Sequence, residues 1–296
     1  MAKPDFNAAA FRFTPTFHND TYPFISPTKL NLSGYTVLIT GASRGIGLAT
    51  AHSYAAAGAS QIAVAARSAP TSLVPALLAT ASAASRPPPQ ILPLSIDVTS
   101  EDSITAAVQL LTSTFSRLDI LVNNAGYLES FRPIASSSSS DWWDVMTINL
   151  RGPYLLSRAF LPLLLSTESG QKTILNTSSI GALLIRPGAS GYQTSKFALM
   201  RLTEFLAAEY GAQGLLAVCF HPGGVMTELA KVMPEETHVN LQDKPELAGD
   251  TVAWLTGERR EWLQGRYFSV NWDMEEFEGM KERVAEGDLL KMKLGV

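Results

Sequence analysis

The feature that most constrains the fold is an abrupt change of pattern early in the chain. Residues 35–40 form a short apolar run rich in β-branched side chains, which predicts a buried strand. Three glycines follow in the spacing Gly-x-x-x-Gly-x-Gly, and the Ala-rich residues 45–58 then predict a helix. Glycines at such a turn let a bound phosphate approach the backbone closely, and the helix N-terminus offers it unpaired N–H groups.

The same alternation of strand and helix continues to residue 270. Six further strands are predicted at residues 61–66, 91–96, 119–122, 173–176, 215–221 and 266–270. Four further helices are predicted at residues 72–85, 100–115 with Ser100 as N-cap, 141–165 and 192–210. Alternating elements imply a parallel sheet covered on both faces. We therefore predict an α/β fold, a single doubly wound Rossmann domain with a seven-stranded parallel sheet.

Composition narrows the class of protein further. The chain has 296 residues and a net charge of −4, without a Lys- or Arg-rich run, which argues against nucleic acid as a partner. No apolar stretch approaches the ~20 residues that a membrane span needs, and no secretory signal precedes the first strand. The single cysteine, Cys219, lies in a predicted strand, where a buried core thiol is expected. We expect a cytoplasmic protein in a reducing compartment.

The residues around the glycine turn favour one dinucleotide over another. The turn lacks the Gly-Lys-Ser/Thr ending of a nucleotide-hydrolase loop, which argues against ATP or GTP hydrolysis. An acidic residue at the end of the second strand would favour NAD, but this chain has Arg67 there. Arg67, with Arg44 from the turn, could pair with a 2′-phosphate. The alternative is that both are solvated surface arginines. We expect NADP(H).

A second pattern lies on the helix predicted at residues 192–210. Tyr192 and Lys196 are four residues apart, so both project from one helix face. A phenol has an ordinary pKa near 10, and a nearby ammonium would lower it. The pair is therefore a candidate general acid and base, although Tyr-x-x-x-Lys alone is common by chance.

Four segments together resemble the classical short-chain dehydrogenase/reductase family in order and spacing. They are Thr40-Gly41-Ala42-Ser43-Arg44-Gly45-Ile46-Gly47, Asn123-Asn124-Ala125-Gly126, Ser178-Ser179 with Tyr192-Gln193-Thr194-Ser195-Lys196, and Pro222-Gly223-Gly224-Val225-Met226-Thr227. The resemblance extends from about Gly34 to about Asp273. The stretch from Trp254 to Trp262 and the end of the last strand also look similar to fungal members that act on specialised metabolites.

The resemblance implies a catalytic set of four residues. Tyr192 would be the acid and base, and Lys196 would lower its pKa and hold the nicotinamide ribose. Ser179, thirteen residues before Tyr192, would hydrogen-bond the substrate oxygen, with Ser178 as the adjacent alternative. Asn149 would help to hold a water that links Lys196 to solvent. The expected reaction is hydride transfer between NADPH and a carbonyl carbon.

The resemblance also implies contacts to the cofactor beyond the glycine turn. Asp97 would lie beside the adenine, and the segment from Pro222 would line the nicotinamide. For Asn124, a structural role and a cofactor contact are both open. The expected cofactor-binding residues are Gly41, Ser43, Arg44, Gly45, Ile46, Gly47, Arg67, Asp97, Val98, Asn124, Ala125, Gly126, Tyr192, Lys196, Pro222, Gly223, Val225 and Thr227.

Three segments are expected to surround the substrate at the C-terminal ends of the strands. They are residues 127–132, 183–191 and the lid at 228–243. Their apolar side chains suggest a hydrophobic or aromatic carbonyl compound. Arg186 could bind an anion, but a solvated arginine is favoured. His221 is expected to be structural, because no second ligand stands at metal spacing; no metal is expected.

The two termini fall outside the family pattern. We expect an aromatic-rich arm at residues 1–33 that lies against the catalytic domain, residues 34–273, or against a neighbouring subunit. The charged tail at 274–296 could cover the active site, dock on a neighbour or form a surface helix. Family members pair through helices that correspond to 141–165 and 192–210, so a homodimer or homotetramer is expected.

Two other functions remain open at this point. The same fold and cofactor can serve redox-neutral chemistry, such as epimerisation, dehydration or rearrangement. A protein of another class, a non-catalytic NADP(H) sensor or scaffold, would not need all four catalytic residues.

Overall fold

A computed structural model describes residues 12–294 and shows seven parallel strands in one sheet. The order across the sheet is β3-β2-β1-β4-β5-β6-β7. The strands are β1 Thr36–Thr40, β2 Gln61–Ala66, β3 Gln90–Ser95, β4 Ile120–Asn123, β5 Thr173–Thr177, β6 Leu216–His221 and β7 Tyr267–Ser269. The predicted doubly wound α/β fold is confirmed.

Helices cover both faces of this sheet. They are α1 Gly45–Ala56, α2 Leu73–Ala83, α3 Glu101–Phe115, α4 Ser139–Met146, α5 Gly152–Ser166, α6 Ser190–Tyr210, α7 Pro245–Gly257, α8 Met274–Gly279 and α9 Lys281–Glu286. Side chains of β1 alternate between two cores: Val37 and Ile39 join α1, α2 and α7, whereas Leu38 joins α3 and α5. None of the helices in the described part has the length and apolar character to cross a membrane.

The strand order reverses between β1 and β4, and this reversal opens a crevice at the C-terminal edge of the sheet. Asn124 joins the two strand ends there, because its Nδ2 donates to the Thr40 and Gly41 carbonyl oxygens at 3.0 and 3.3 Å. Ala125 N–H also bonds Thr40 Oγ1 at 3.2 Å. These bonds give Asn124 a structural role, which is one of the two roles left open for it.

The helix expected at residues 141–165 differs from the structure at its start and centre. It begins at Ser139, where the Ser138 hydroxyl caps the Asp141 N–H. Thr147–Arg151 forms a π-helical turn between α4 and α5, closed by Gly152 N–H on Thr147 O. Expecting one regular α-helix was therefore wrong at this turn. An inserted π turn changes hydrogen bonding without changing the apolar pattern that predicted the helix.

The described part of the N-terminal arm packs on the C-terminal tail. Phe17 forms an antiparallel bridge with Trp272, and the Phe13 ring lies 5.1 Å from that of Trp272 and 5.8 Å from that of Phe277. Phe277 in α8 and Val284 in α9 are fully buried. The arm thus lies against its own chain and, with the tail, forms one aromatic layer. The arm's Phe6 and Phe11 lie outside the described residues.

Candidate functional site

The C-terminal edge of β4, β5 and β6 brings the four expected catalytic residues into one region. Ser179 follows β5, and Tyr192 and Lys196 occupy the first two turns of α6. Asn149 lies in the π turn. The parallel sheet places these segments side by side, because the carboxyl ends of its strands share one edge.

Asn149 is fully buried and uses its whole amide group on protein atoms. Its Oδ1 accepts from Tyr127 N–H at 2.8 Å, and its Nδ2 donates to Tyr127 O at 2.8 Å and Ser195 Oγ at 3.1 Å. The side chain therefore ties the loop after β4 to α6. Pro153, four residues further on, has no N–H, so the Asn149 carbonyl lacks its ordinary α-helical donor.

Lys196 is buried at 4% exposure beneath the tyrosine. Its Nζ donates to Thr177 O at 2.7 Å and lies 5.7 Å from the centroid of the Tyr192 ring. Burial lowers the pKa of Lys196 to about 8. An ammonium with that pKa gains or loses a proton close to neutral pH, which suits a proton relay.

The pKa of Tyr192 is raised, whereas a nearby Lys196 ammonium was expected to lower it. Burial of the phenol raises this pKa above its ordinary value, a hydrogen bond with Ser179 lowers it in part, and the charge of Glu129 raises it further. The expected lowering by Lys196 was therefore wrong for the protein alone. Desolvation penalises the phenolate more than its neighbours stabilise it. Tyr192 is thus a protonated group at neutral pH.

The two adjacent serines have different partners. The Ser178 hydroxyl is buried and donates to Lys196 O at 3.0 Å, so it fastens β5 to α6. The Ser179 hydroxyl accepts from Gly181 N–H at 3.0 Å and lies close enough to the phenol to lower the pKa of Tyr192 in part. Only Ser179 thus faces the phenol, which supports its choice over Ser178.

The glycine turn between β1 and α1 is shaped to admit a phosphate. Gly41 and Gly45 have φ of +65° and +56°, a conformation that other residues rarely adopt. A Cβ on Gly47 would lie 2.4 Å from Gly41 O and 2.5 Å from Asn124 Nδ2, so only glycine fits. The N-cap residue of α1, Arg44, forms no side-chain capping bond, so the first N–H groups of this helix lack that partner beside Ser43 and Ile46. These features fit the pyrophosphate of a dinucleotide.

Arg44 and Arg67 are exposed, and within residues 12–294 neither guanidinium has a hydrogen bond or ion pair. The nearest influences are weak: Arg67 helps to lower the pKa of Asp97, and Arg44 that of Glu228. Arg67 directly follows β2, as the sequence indicated. Both cations therefore have free donors for a 2′-phosphate.

Asp97 and Val98 follow β3 beside the crevice. Asp97 Oδ1 accepts from Thr99 N–H at 2.9 Å and from Thr99 Oγ1 at 2.7 Å, and these two bonds lower the pKa of the carboxyl. Val98 is buried, and a Cβ on Gly152 would lie 3.1 Å from it. Asp97 is thus ionised and held by Thr99 in the turn after β3, where a residue beside the adenine was expected.

The segment from Pro222 after β6 leans over the glycine turn. A Cβ on Gly45 would lie 3.2 Å from Thr227 Cγ2, so the two segments nearly touch. Val225 forms an antiparallel bridge with Gln242, and Thr227 Oγ1 accepts from Ala230 N–H at 3.2 Å. Gly126, on the opposite side, borders Asn149. These contacts surround the crevice between β1, β4 and β6.

Asp243, at the end of the lid, is a residue that sequence reasoning missed. Its carboxylate accepts from Gly224 N–H at 2.6 Å, Asn271 Nδ2 at 2.8 Å and Asn19 Nδ2 at 2.6 Å. A Cβ on Gly223, where φ is +87°, would lie 2.7 Å from it. One carboxylate therefore joins the arm, the end of β7 and the Pro222 segment. The only sequence signal was the unusual Asn271 after the last strand.

Arg186 connects all three expected substrate walls. Its guanidinium lies 3.6 Å from Glu236 of the lid and 5.5 Å above the Phe131 ring. Its side chain remains 37% exposed, as expected of a solvated arginine, although these two neighbours contact it. Of the apolar side chains in these walls, Leu183 is half-buried and Tyr127 is exposed.

His221 ends β6 and is nearly buried. Its Nδ1 accepts from Ile180 N–H at 3.1 Å, and burial lowers its pKa to about 3. It is therefore neutral at physiological pH and supports the turn that carries Ser179. Among the described residues, no group of three His, Cys, Asp or Glu side chains could hold a metal ion.

Fold and site together define a doubly wound dinucleotide-binding protein with a Ser, Tyr and Lys set at the crevice. The family model for short chain dehydrogenase matches residues 35–238. The chain belongs to the short-chain dehydrogenase family, whose members are oxidoreductases with nicotinamide cofactors.

Two relatives that match nearly the whole chain are fungal. The chain is 50% identical to the short chain dehydrogenase citE of Monascus ruber, over 97% of this chain and 98% of citE. It is 46% identical to the short chain dehydrogenase pigC of the same species, over 95% of this chain and 93% of pigC. The arm and tail are thus included in the similarity to these proteins.

Solved structures of the family superpose on most of the fold. A short-chain dehydrogenase/reductase from Mycobacterium marinum matches with a TM-score of 0.73 and 27% identity, over 83% of this chain and 98% of its own. A short chain dehydrogenase from Shigella flexneri, complexed with NADP, matches with a TM-score of 0.68 and 30% identity, over 81% of this chain and 98% of its own.

Proposed function

We propose that this protein is an NADP(H)-dependent oxidoreductase that interconverts a carbonyl and an alcohol group, chiefly as a ketone reductase. The observation that carries the proposal is the grouping of Ser179, a protonated Tyr192 and the buried Lys196, whose Nζ lies 5.7 Å from the centroid of the Tyr192 ring. Such a pair offers a proton donor at the place where a carbonyl oxygen gains charge.

The residues of the chain divide the chemistry as follows. Ser179 and Tyr192 bind the carbonyl oxygen, and Tyr192 donates its proton to that oxygen as the alcohol forms. Lys196, with a pKa of about 8, returns a proton toward Tyr192. The Asn149 carbonyl, which lacks an α-helical donor, holds the water that resupplies it. When bound, the nicotinamide supplies the hydride; alcohol oxidation uses the same groups in reverse.

The cofactor proposal rests on the open side of the crevice. The glycine turn and the uncapped start of α1 receive the pyrophosphate, and Asp97 lies beside the adenine. Arg44 and Arg67, whose guanidinium donors have no partner among the described residues, receive a 2′-phosphate. A carboxylate at position 67 would repel that phosphate, so NADP(H) is favoured over NAD(H). The Shigella flexneri relative, which was complexed with NADP, agrees with this choice.

Substrate class and assembly are proposed from the surface around the site. The apolar walls favour a hydrophobic or aromatic carbonyl compound, and the fungal relatives favour a specialised metabolite. Four aromatic side chains are exposed on the helices expected to pair subunits, namely Trp143 on α4, Tyr154 on α5, and Phe197 and Phe205 on α6. Covering them in a homodimer or homotetramer would remove apolar surface from water. The single buried thiol fits a cytoplasmic location.

The test is NADPH consumption by the purified protein with a panel of ketones, aldehydes and quinones, with NADH and Tyr192→Phe run in parallel. We expect turnover with NADPH that falls by roughly 10²–10⁴-fold in the variant, because the proton donor is lost. Tight NADPH binding without consumption would instead favour redox-neutral chemistry. NADPH consumption that Tyr192→Phe leaves unchanged would refute the role of Tyr192, and NADPH binding with no conversion of any substrate would favour a non-catalytic NADP(H) sensor.

A further inference from the structure

A buried carboxylate lies directly behind the proposed proton donor. Glu129, in the loop after β4, has only 4% exposure. Its two oxygens accept from the Tyr192 N–H at 2.9 and 3.0 Å, which is the only hydrogen bond to Glu129 among the described residues. This loop therefore meets the catalytic helix at the residue that carries the phenol.

The position of the carboxylate has an electrostatic reason. The first N–H groups of a helix have no partner within the helix, and a negative charge near them is stabilised. No arginine or lysine in the described part of the chain forms an ion pair with Glu129. Its charge is therefore balanced chiefly by the N-terminus of α6.

Packing leaves this arrangement little freedom. A Cβ on Gly191 would lie 3.0 Å from Glu129 Oε1 and 3.1 Å from Trp142 Cδ1, so a larger residue next to Tyr192 would press on both side chains. On its other side, Glu129 lines a cavity of about 320 Å³ with Arg132, Trp142 and Ser190. The carboxylate is thus held against the helix but borders a space that water can enter.

We propose that Glu129 is a positioning residue for the reaction: it fixes the first turn of α6 through the Tyr192 N–H, and its negative charge opposes ionisation of the Tyr192 phenol. This inference rests on the proposed function of Tyr192. Glu129 would then act on proton transfer through Tyr192 without touching the substrate. Its loop, residues 127–132, is one of the expected substrate walls.

The charges around Tyr192 agree in direction with this role. Lys196 lies on the same helix, with Nζ 5.7 Å from the ring centroid, and Ser179 after β5 contributes an uncharged hydroxyl. His221 at the end of β6 is neutral, since its pKa is about 3. Glu129 is the negative group that raises the pKa of Tyr192 beyond the effect of burial.

The experiment compares Glu129→Gln, which keeps an oxygen acceptor for the Tyr192 N–H but removes the charge, with the wild type. Ultraviolet difference titration reads the Tyr192 phenolate directly, with Tyr192→Phe subtracted in each background. We expect its pKa to fall by roughly half a unit to one unit, and the alkaline limb of NADPH-dependent carbonyl reduction to move equally. Glu204→Gln is the matched control. Glu204 also accepts a backbone N–H, that of Met292, but it lies more than two turns further along α6 from Tyr192.

Glu129→Asp separates charge from position, because it keeps the charge on a shorter side chain. We expect its phenolate titration to stay near that of the wild type even where kcat falls. An unchanged titration in Glu129→Gln, or an equal shift in Glu129→Asp, would overturn the proposal. A shifted titration in a protein that reduces no carbonyl would instead refute the proposed reaction and leave the role of Glu129 standing.

Discussion

The two halves of the crevice are built in opposite ways. Around Tyr192, the side chains of Asn149, Ser178 and Lys196 are buried and bonded to one another or to backbone. Around the glycine turn, Arg44 and Arg67 are exposed and have no partner in the described structure. The half around Tyr192 is therefore preorganised by the protein alone, whereas the half around the glycine turn keeps two cations free for the proposed 2′-phosphate.

This contrast explains where perturbed pKa values occur. In the buried half, desolvation raises the pKa of Tyr192 and lowers that of Lys196 to about 8, so both shifts weaken the charged form. In the open half, hydrogen bonds from Thr99 lower the pKa of Asp97 and favour its charged form. The half around Tyr192 thus disfavours charge, whereas the half around the glycine turn tolerates it.

The sharpest test of the preorganised half compares the two adjacent serines. Ser179→Ala removes a donor to the substrate oxygen, so we expect kcat to fall by roughly 10²–10³-fold with NADPH affinity unchanged. Ser178→Ala removes only a bond to Lys196 O and should cost about 1 kcal/mol of stability with kcat within a few-fold. Steady-state kinetics and thermal unfolding read both variants. A larger kcat loss in Ser178→Ala would reverse the assignment.

The open half is tested by removing its free cations. We expect the double variant Arg44→Ala with Arg67→Ala to bind NADPH roughly 10–100-fold more weakly, since charge-assisted bonds to the 2′-phosphate are lost. NADH affinity should change little, as measured by titration calorimetry. Arg158→Ala, an exposed arginine paired with Glu101, is the matched control. An equal loss for NADH would show that these arginines do not select the cofactor.

The stability of the buried half around Tyr192 should also depend on pH through His221. Its folded-state pKa of about 3 lies below the ordinary 6.5, so the unfolded state takes up the proton first. Stability from this group is complete above pH 6.5 and is lost at about 1.4 kcal/mol per pH unit as pH falls toward 3.

His221→Asn should remove that dependence, because Asn can accept from Ile180 N–H without titrating. The measurement is the unfolding free energy in urea at about pH 7.5 and about pH 5, where the variant should lose less stability than the wild type. Equal losses in the two proteins would mean that the buried imidazole is not the acid-sensitive group.

The smallest effect is expected where the arm reaches the crevice. Asn19→Ala removes one of three donors to Asp243, which also binds Gly224 N–H. We expect the KM for NADPH to rise by about fivefold or less, corresponding to about 1 kcal/mol, with kcat unchanged. Asn31→Ala, elsewhere on the arm, is the control, since its side chain bonds only Ser33 N–H among residues 12–294. A larger effect of Asn31→Ala than of Asn19→Ala would show that the Asn19–Asp243 contact does not support the cofactor site.

Much of the fold could be predicted because parallel strands are continuous apolar runs. The strand expected at 119–122 is β4, Ile120–Asn123, and Ser100 caps α3 through Ser103 N–H, as predicted. The π turn at Asn149 could not be predicted, because one inserted residue leaves the helical pattern of apolar residues almost unchanged.

What the sequence determined by itself is what depends on neighbours in the chain. The four-residue interval puts Tyr192 and Lys196 on one helix face, and the glycine spacing opens the turn before α1. The tertiary structure decided what depends on distant segments. Burial reversed the pKa shift of Tyr192, and folding brought Glu129 to its N–H and three donors to Asp243. Local pattern encodes geometry along one element, whereas desolvation and charge depend on everything packed around it.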